Sequence, residues 1–183
     1  MVEAARALFA DGGFHRVSLE EIARRADVAR ATVYHQFGSK TGLLAAVLKD
    51  FEGRAGLAGL AELVATAPTE RLVRDVVTAG CRYWATDPPL ARAVLAFAAT
   101  DAAAGDLLAG HDAGRLRLLS QVVDRLVADG RLDGGCPPER ALDVLWLLTG
   151  FAAYDELARG RELPTDAVAA LLADLAEQRI RPG

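Results

Sequence analysis

Apolar residues recur at helical spacing along this chain from one end to the other, and no alternating apolar–polar run persists. Gly and Pro interrupt that spacing at intervals, as they do between helices. The pattern predicts an all-α fold. With 183 residues, 52% of them hydrophobic, the chain is long enough for two modest helical domains with buried cores.

The first helix is expected over about Val2 to Ala10, ended by Asp11-Gly12-Gly13, after which Phe14 and Val17 return to the core. Ser18-Leu19-Glu20-Glu21 reads as a capping box, with the serine accepting from the Glu21 backbone and the Glu21 carboxylate reaching back. The second helix carries an inner stripe of Leu19, Ile22, Ala23 and Ala26 and stops at Asp27-Val28. Asp is among the few residues other than glycine that accept positive φ, which a tight turn there requires. A short third helix follows from about Ala29 to Phe37, closed by Gly38. Ser39 caps a fourth, with Leu43, Leu44, Val47, Leu48 and Phe51 on one side.

Two short helices joined by so tight a turn suit DNA for a steric reason. One crosses the backbone, and the other fits the major groove. Val28, Val33 and Phe37 are expected to pack inward. That leaves Arg30, Ala31, Thr32, Tyr34, His35 and Gln36 outward. Arg can fork onto guanine and Gln onto adenine, Thr and Ala can meet a thymine methyl, and Tyr and His can reach phosphate.

The residues here resemble the TetR/AcrR family of regulators. The resemblance runs through Ala4-Ala5-Arg6-Ala7-Leu8-Phe9, Gly13-Phe14, Val17-Ser18 and Ile22 to Val28. It continues through Ala31 to Phe37 and ends with Ser39-Lys40 and Leu43-Leu44. It implies a helix-turn-helix DNA-binding domain over residues 1–50 and a helical regulatory domain for ligand binding and dimerisation over 51–183. It also implies that Thr32, Tyr34 and His35 touch DNA, that Lys40 meets a phosphate at the start of the fourth helix, and that Arg30 and Ala31 help set operator preference. The chain departs from the family at Ala29, where a capping serine is common, and at Thr41-Gly42, which starts the fourth helix weakly. It also begins almost inside its first helix, where relatives carry a basic arm.

The remainder reads as about five longer helices with breaks at Ala67-Pro68, Asp87-Pro88-Pro89, Gly130 to Pro138 and Gly160 to Pro164. A helix from Pro138 to Arg159 is apolar on more than one face and is expected to be buried all round. The last helix, Thr165 to Ile180, has a stripe of Val168, Leu171, Leu172 and Leu175. Pairing of these two helices with their copies would make a homodimer whose two reading helices match a near-palindrome. The family places a small-molecule pocket in this half, for which Trp84, Phe97, His111, Trp146 and Tyr154 are candidates beside plain core packing.

Charge adds little. Residues 1–50 carry 7 Lys+Arg against 6 Asp+Glu, and residues 51–183 carry 14 against 19. The acidic second half favours a neutral or cationic effector over an anionic one. Cys81 and Cys136 lie in no metal-ligand spacing, so no metal or cofactor is expected. Whether they pair is not fixed by their positions, though two thiols in a helical protein fit a reducing cytoplasm. No signal peptide or membrane span is expected, and no nucleophile–base pair marks an enzyme. The expected function is a ligand-responsive repressor of an operator in double-stranded DNA. The alternative is a small-molecule-binding or adaptor protein of the same fold with weak or lost DNA binding.

Overall fold

A computed structural model describes residues 1–132 and 135–180. Among these residues there are helices and no strands. Helices α1 (Val2–Gly12), α2 (Leu19–Arg25), α3 (Arg30–Phe37) and α4 (Lys40–Arg54) open the chain, with a 3₁₀ turn at Phe14–Arg16. Then come α5 (Leu57–Thr66), α6 (Thr69–Ala85), α7 (Pro88–Ala98) and α8 (Ala102–Ala128). The last three are α9 (Pro138–Leu148), α10 (Phe151–Ala158) and α11 (Thr165–Ile180). No helix among the described residues is long and apolar enough to cross a membrane.

The chain packs as two compact units that interleave along the sequence. One holds residues 1–54 and 87–111, the other 55–86 and 112–183. Thus α7 and the start of α8 group with the N-terminal helices, a grouping that no local pattern in the sequence announces.

In the first unit α1 packs against α4 and α7. Phe9, Phe14, Ile22, Leu43, Leu44 and Leu90 are fully enclosed. The Phe14 ring stacks on Phe97 at a centroid distance of 3.9 Å and lies 4.3 Å from Phe9. Asp87, buried, caps α7 by accepting from the Leu90 backbone N–H at 3.2 Å. The same carboxylate takes Arg6 at 2.9 Å and Arg54 at 3.6 Å, so one side chain joins α1, α4 and α7.

In the second unit α6 and α11 lie along one another, and α5, α9 and α10 pack around this pair. Arg74 on α6 holds Asp174 and Glu177 on α11, at 2.6 Å and 2.5 Å. Arg125 on α8 donates to the carbonyls of Val64 and Ala67 at the end of α5, at 2.6 Å and 2.7 Å. These are carbonyls that a helix end leaves without an internal partner.

Several expectations are corrected here. The single helix expected from Pro138 to Arg159 is two, broken at Thr149-Gly150. Two side chains occupy the break: Trp84 donates its indole N–H to the Thr149 carbonyl at 2.9 Å, and Arg115 donates to the Trp146 carbonyl at 3.0 Å. Nor is this segment buried all round, since Leu147 is 69% exposed. Among the described residues seven helices, not about five, follow α4, because the chain breaks between Ala98 and Ala102, separating α7 from α8, and again at Thr149-Gly150. The expected interruptions at Ala67-Pro68, Asp87-Pro88-Pro89 and Gly160 to Pro164 are present. In that at Gly130 to Pro138, residues 133 and 134 lie outside the described residues. Cys81 and Cys136 are both buried and do not form a disulfide with each other.

Candidate nucleic-acid interface

The junction between α2 and α3 is built by the backbone. Ser18 caps α2, its hydroxyl accepting from the Glu21 N–H at 3.1 Å. The reciprocal half expected of this cap is replaced: the Glu21 carboxylate takes Arg24 at 2.6 Å and 3.1 Å, because a guanidinium one turn on offers two charged donors. At the other end Asp27 has φ 54°, in the left-handed region. The Val28 N–H then reaches the Ala23 carbonyl at 3.0 Å and the Asp27 N–H the Arg24 carbonyl at 3.4 Å. This pair of bonds is the Schellman closure, and it turns the chain sharply enough to lay α3 across α2.

Helix α3 starts without a side-chain cap at Ala29 and ends at Gly38, φ 70°. Val33 is its single fully buried residue. Arg30, Ala31, Thr32, Tyr34, His35 and Gln36 are all exposed, so an eight-residue helix is fixed by one valine, flanked by half-buried Phe37, and offers the rest to solvent. The seat on α4 is close. Ser39 caps α4 by accepting from the Gly42 N–H at 3.0 Å. A Cβ at residue 42 would lie 2.1 Å from the Phe37 carbonyl oxygen. Gly42, which reads in the sequence as a weak helix start, is what lets the end of α3 approach α4.

Three of the expected DNA-contacting side chains, Arg30, Tyr34 and Lys40, have internal partners. Arg30 donates to Glu20 on α2 at 2.7 Å and to the Tyr34 hydroxyl at 3.2 Å, its guanidinium 5.1 Å from the Tyr34 ring centre. The Tyr34 hydrogen bond and Glu20 hold its pKa above the ordinary arginine value. Lys40 is turned inward: its ammonium donates to the Phe14 carbonyl and sits 4.6 Å from the Phe14 ring centre. Burial draws the Lys40 pKa down, with Asp101 opposing. Residue type and register gave no sign of the Glu20 and Phe14 contacts, because those partners lie on other elements, whereas Tyr34 follows Arg30 at i+4 on the same helix.

The five residues considered for a small-molecule pocket each have partners within their own unit. Phe97 stacks on Phe14, and His111 pairs with Glu52 at 2.7 Å, both within the first unit. In the second unit Trp84 faces Phe151 and the Thr149 carbonyl, and Trp146 lies beneath Arg115 at 3.5 Å. Tyr154 is buried with its hydroxyl 3.1 Å from Thr165. A cleft of about 300 Å³ exists elsewhere in that unit, between α5 and α6, lined among others by Gly56, Gly59, Leu60, Leu63, Asp75 and Arg82. The sequence signal for it is the pair of glycines on α5, which keep that wall low.

A short helix lying across another through a left-handed turn, seated on a third and exposed on its polar side, defines a helix-turn-helix protein, here with a further helical unit. A family model described as bacterial regulatory proteins, tetR family, matches residues 1–47. The transcriptional repressor KstR of Mycolicibacterium smegmatis is 31% identical over 155 residues, which cover 80% of this chain and 71% of KstR. The transcriptional regulator BetI of Rhizobium meliloti is 33% identical over 97 residues, 53% of this chain and 48% of BetI. With BetI the likeness thus spans about half of the relative's length. The solved structure of FadR from Bacillus subtilis in complex with stearoyl-CoA superposes with a TM-score of 0.73 at 17% identity, covering 98% of this chain and 97% of FadR. Salmonella enterica GusR gives 0.75 at 19% identity, covering 98% and 92%. The chain belongs to the tetR family of bacterial regulatory proteins.

Proposed function

We propose that this chain is a DNA-binding transcriptional repressor that holds a near-palindromic operator as a homodimer and releases it when a small molecule binds. The observation that carries this reading is the exposed polar side of α3, held on α2 and α4 through a single buried valine. In the major groove Arg30 would fork onto guanine, Ala31 and Thr32 would meet thymine methyls, and Tyr34 and His35 would reach phosphates. For Lys40, a phosphate contact requires its ammonium to leave the Phe14 carbonyl. Residues 1–50 form the DNA-binding part in this division by role, and residues 51–183 the regulatory part.

Dimerisation is supported by Leu147 on α9 and Leu171 and Leu175 on α11, large apolar side chains 69%, 41% and 41% exposed. A symmetric interface uses the same patch twice, which suits two half-sites about 34 Å apart. For the effector, the cleft between α5 and α6 lies at the small end of the range for ligand pockets. Occupation would act only through a difference in affinity between the DNA-competent arrangement and another. That FadR was solved with stearoyl-CoA and that KstR is a repressor support a ligand-responsive role. The role is non-catalytic and placed in the cytoplasm with the DNA.

A second reading is favoured by the inward turn of Lys40 and the engagement of Arg30: a ligand-binding or adaptor protein of the same fold that has lost DNA affinity. Selection of bound duplexes from a random pool tests both. A repressor enriches a site with two-fold symmetry and a spacing near one helical turn. Recovery of no enriched sequence favours the adaptor. A compound that leaves affinity for the enriched site unchanged at saturation is not the effector.

A further inference from the structure

We propose that Glu20 tunes the DNA affinity of this protein by holding Arg30 in the free state, so that every base contact Arg30 makes is discounted by the cost of breaking the pair. The inference rests on the DNA-binding reading and adds a residue from outside the recognition helix. Its ground is the geometry of three side chains on the exposed face of the helix-turn-helix. The Glu20 carboxylate, on the first turn of α2, lies 2.7 Å from the Arg30 guanidinium on the first turn of α3. Tyr34, one turn further along α3, supports the same group from below, its hydroxyl at 3.2 Å and its ring centre at 5.1 Å. The guanidinium is therefore held at the front of α3 in the free protein, with all three residues open to solvent.

The strength of the hold decides what it can do. An exposed ion pair of this type favours the closed arrangement by a factor of about 1–5. A single exposed phosphate contact returns a factor of the same order, so exchanging Glu20 for a phosphate brings almost no gain. A bidentate guanine contact is worth a factor of about 5–150, enough to open the pair. On arbitrary sequence the pair can stay closed and costs little, whereas at a guanine it must open, so Glu20 discounts the Arg30–guanine contact by the full factor the pair is worth.

The test is a double-mutant cycle on the full-length protein, with Glu20→Gln, Arg30→Ala and the combination. The probes are a mixed-sequence 30-base-pair duplex and the duplex enriched by selection, followed by fluorescence anisotropy across a salt series. Glu20→Gln is expected to tighten binding to the enriched duplex by about 3–10-fold, the two protomers together. Affinity for the mixed sequence should change by less than about 3-fold, while Arg30, freed to meet a phosphate there, steepens the dependence of log affinity on log salt by about one per protomer. In the Arg30→Ala background the gain from Glu20→Gln should fall below about 2-fold. An equal gain in both backgrounds overturns the proposal, because Glu20 would then act by simple repulsion. So does an unchanged salt slope in Glu20→Gln when the wild type binds. Failure of the wild type and Glu20→Gln alike to bind either duplex at low salt removes the DNA reading itself and the proposal with it.

Discussion

Asp87 is the residue on which the first unit depends most, and replacing it tests how that unit is held. Asp87→Ala removes the cap of α7, a bond to the Leu90 N–H worth about 1 kcal/mol. It also leaves Arg6 and Arg54 facing a site with no anion. Removing one partner of a fully buried pair costs about 3–5 kcal/mol, and of an exposed pair about 0–1 kcal/mol. Here the carboxylate side chain is 8% exposed and the two guanidinium groups 30% and 34%, so the pair falls between, at about 1–2 kcal/mol. The total is about 2–3 kcal/mol, or about 4–12 °C in Tm for a chain of this length. Asp87→Asn separates the contributions, since asparagine caps as well as aspartate and carries no charge; it should lose only about 1–2 kcal/mol. Urea unfolding followed by circular dichroism, at one protomer concentration so that dimerisation does not move the midpoint, measures both. A change below about 0.5 kcal/mol in Asp87→Ala would refute the reasoning. Equal losses in the two variants would refute the share assigned to the cap.

Lys40→Met should destabilise the protein by about 1–2 kcal/mol through the lost bond to Phe14, with a drop in Tm that precedes any change in DNA affinity. A normal Tm with uniformly weakened DNA binding would instead assign Lys40 to phosphate. Leu147→Glu should leave the helical signal intact and shift sedimentation from dimer to monomer, raising the dimer dissociation constant at least about 100-fold, because each copy would bury a charge where it had buried about 2 kcal/mol of leucine. Burial raises the Cys81 thiol from 9.0 to about 11. The folded state therefore keeps a proton that the unfolded chain releases, so this contribution to stability is whole below pH 9 and is lost as pH rises toward 11. Urea midpoints of the wild type and Cys81→Ala across that interval should converge. Parallel curves would show that the thiol is not held neutral.

The helix-turn-helix was legible in the sequence because its determinants are local. Ser18 accepts from the residue three positions on, Asp27 accepts positive φ by its own chemistry, and Val33 with Phe37 four positions on supplies the apolar side of α3. The break at Thr149-Gly150 was not legible. Leu147, Leu148 and Phe151 continue a helical spacing without interruption, and the groups that occupy the opened backbone, Trp84 and Arg115, come from α6 and α8. The break at Asp87-Pro88-Pro89 was visible, yet the ion pairs of Asp87 with Arg6 and Arg54 depend on where α1 and α4 end up. The engagement of Arg30 and Lys40 escaped for the same reason. A one-dimensional pattern reports which residues are free to face outward, and only the packed chain reports which neighbours claim them.

The contact between Phe37 and Gly42 has a mechanical consequence. With a hydrogen where any other amino acid would place carbon, the end of α3 rests on the barrel of α4 with no slack between them. Any side chain at residue 42 would have to push the last turn of α3 outward, so the tilt at which the reading surface is presented is set by the absence of one carbon atom.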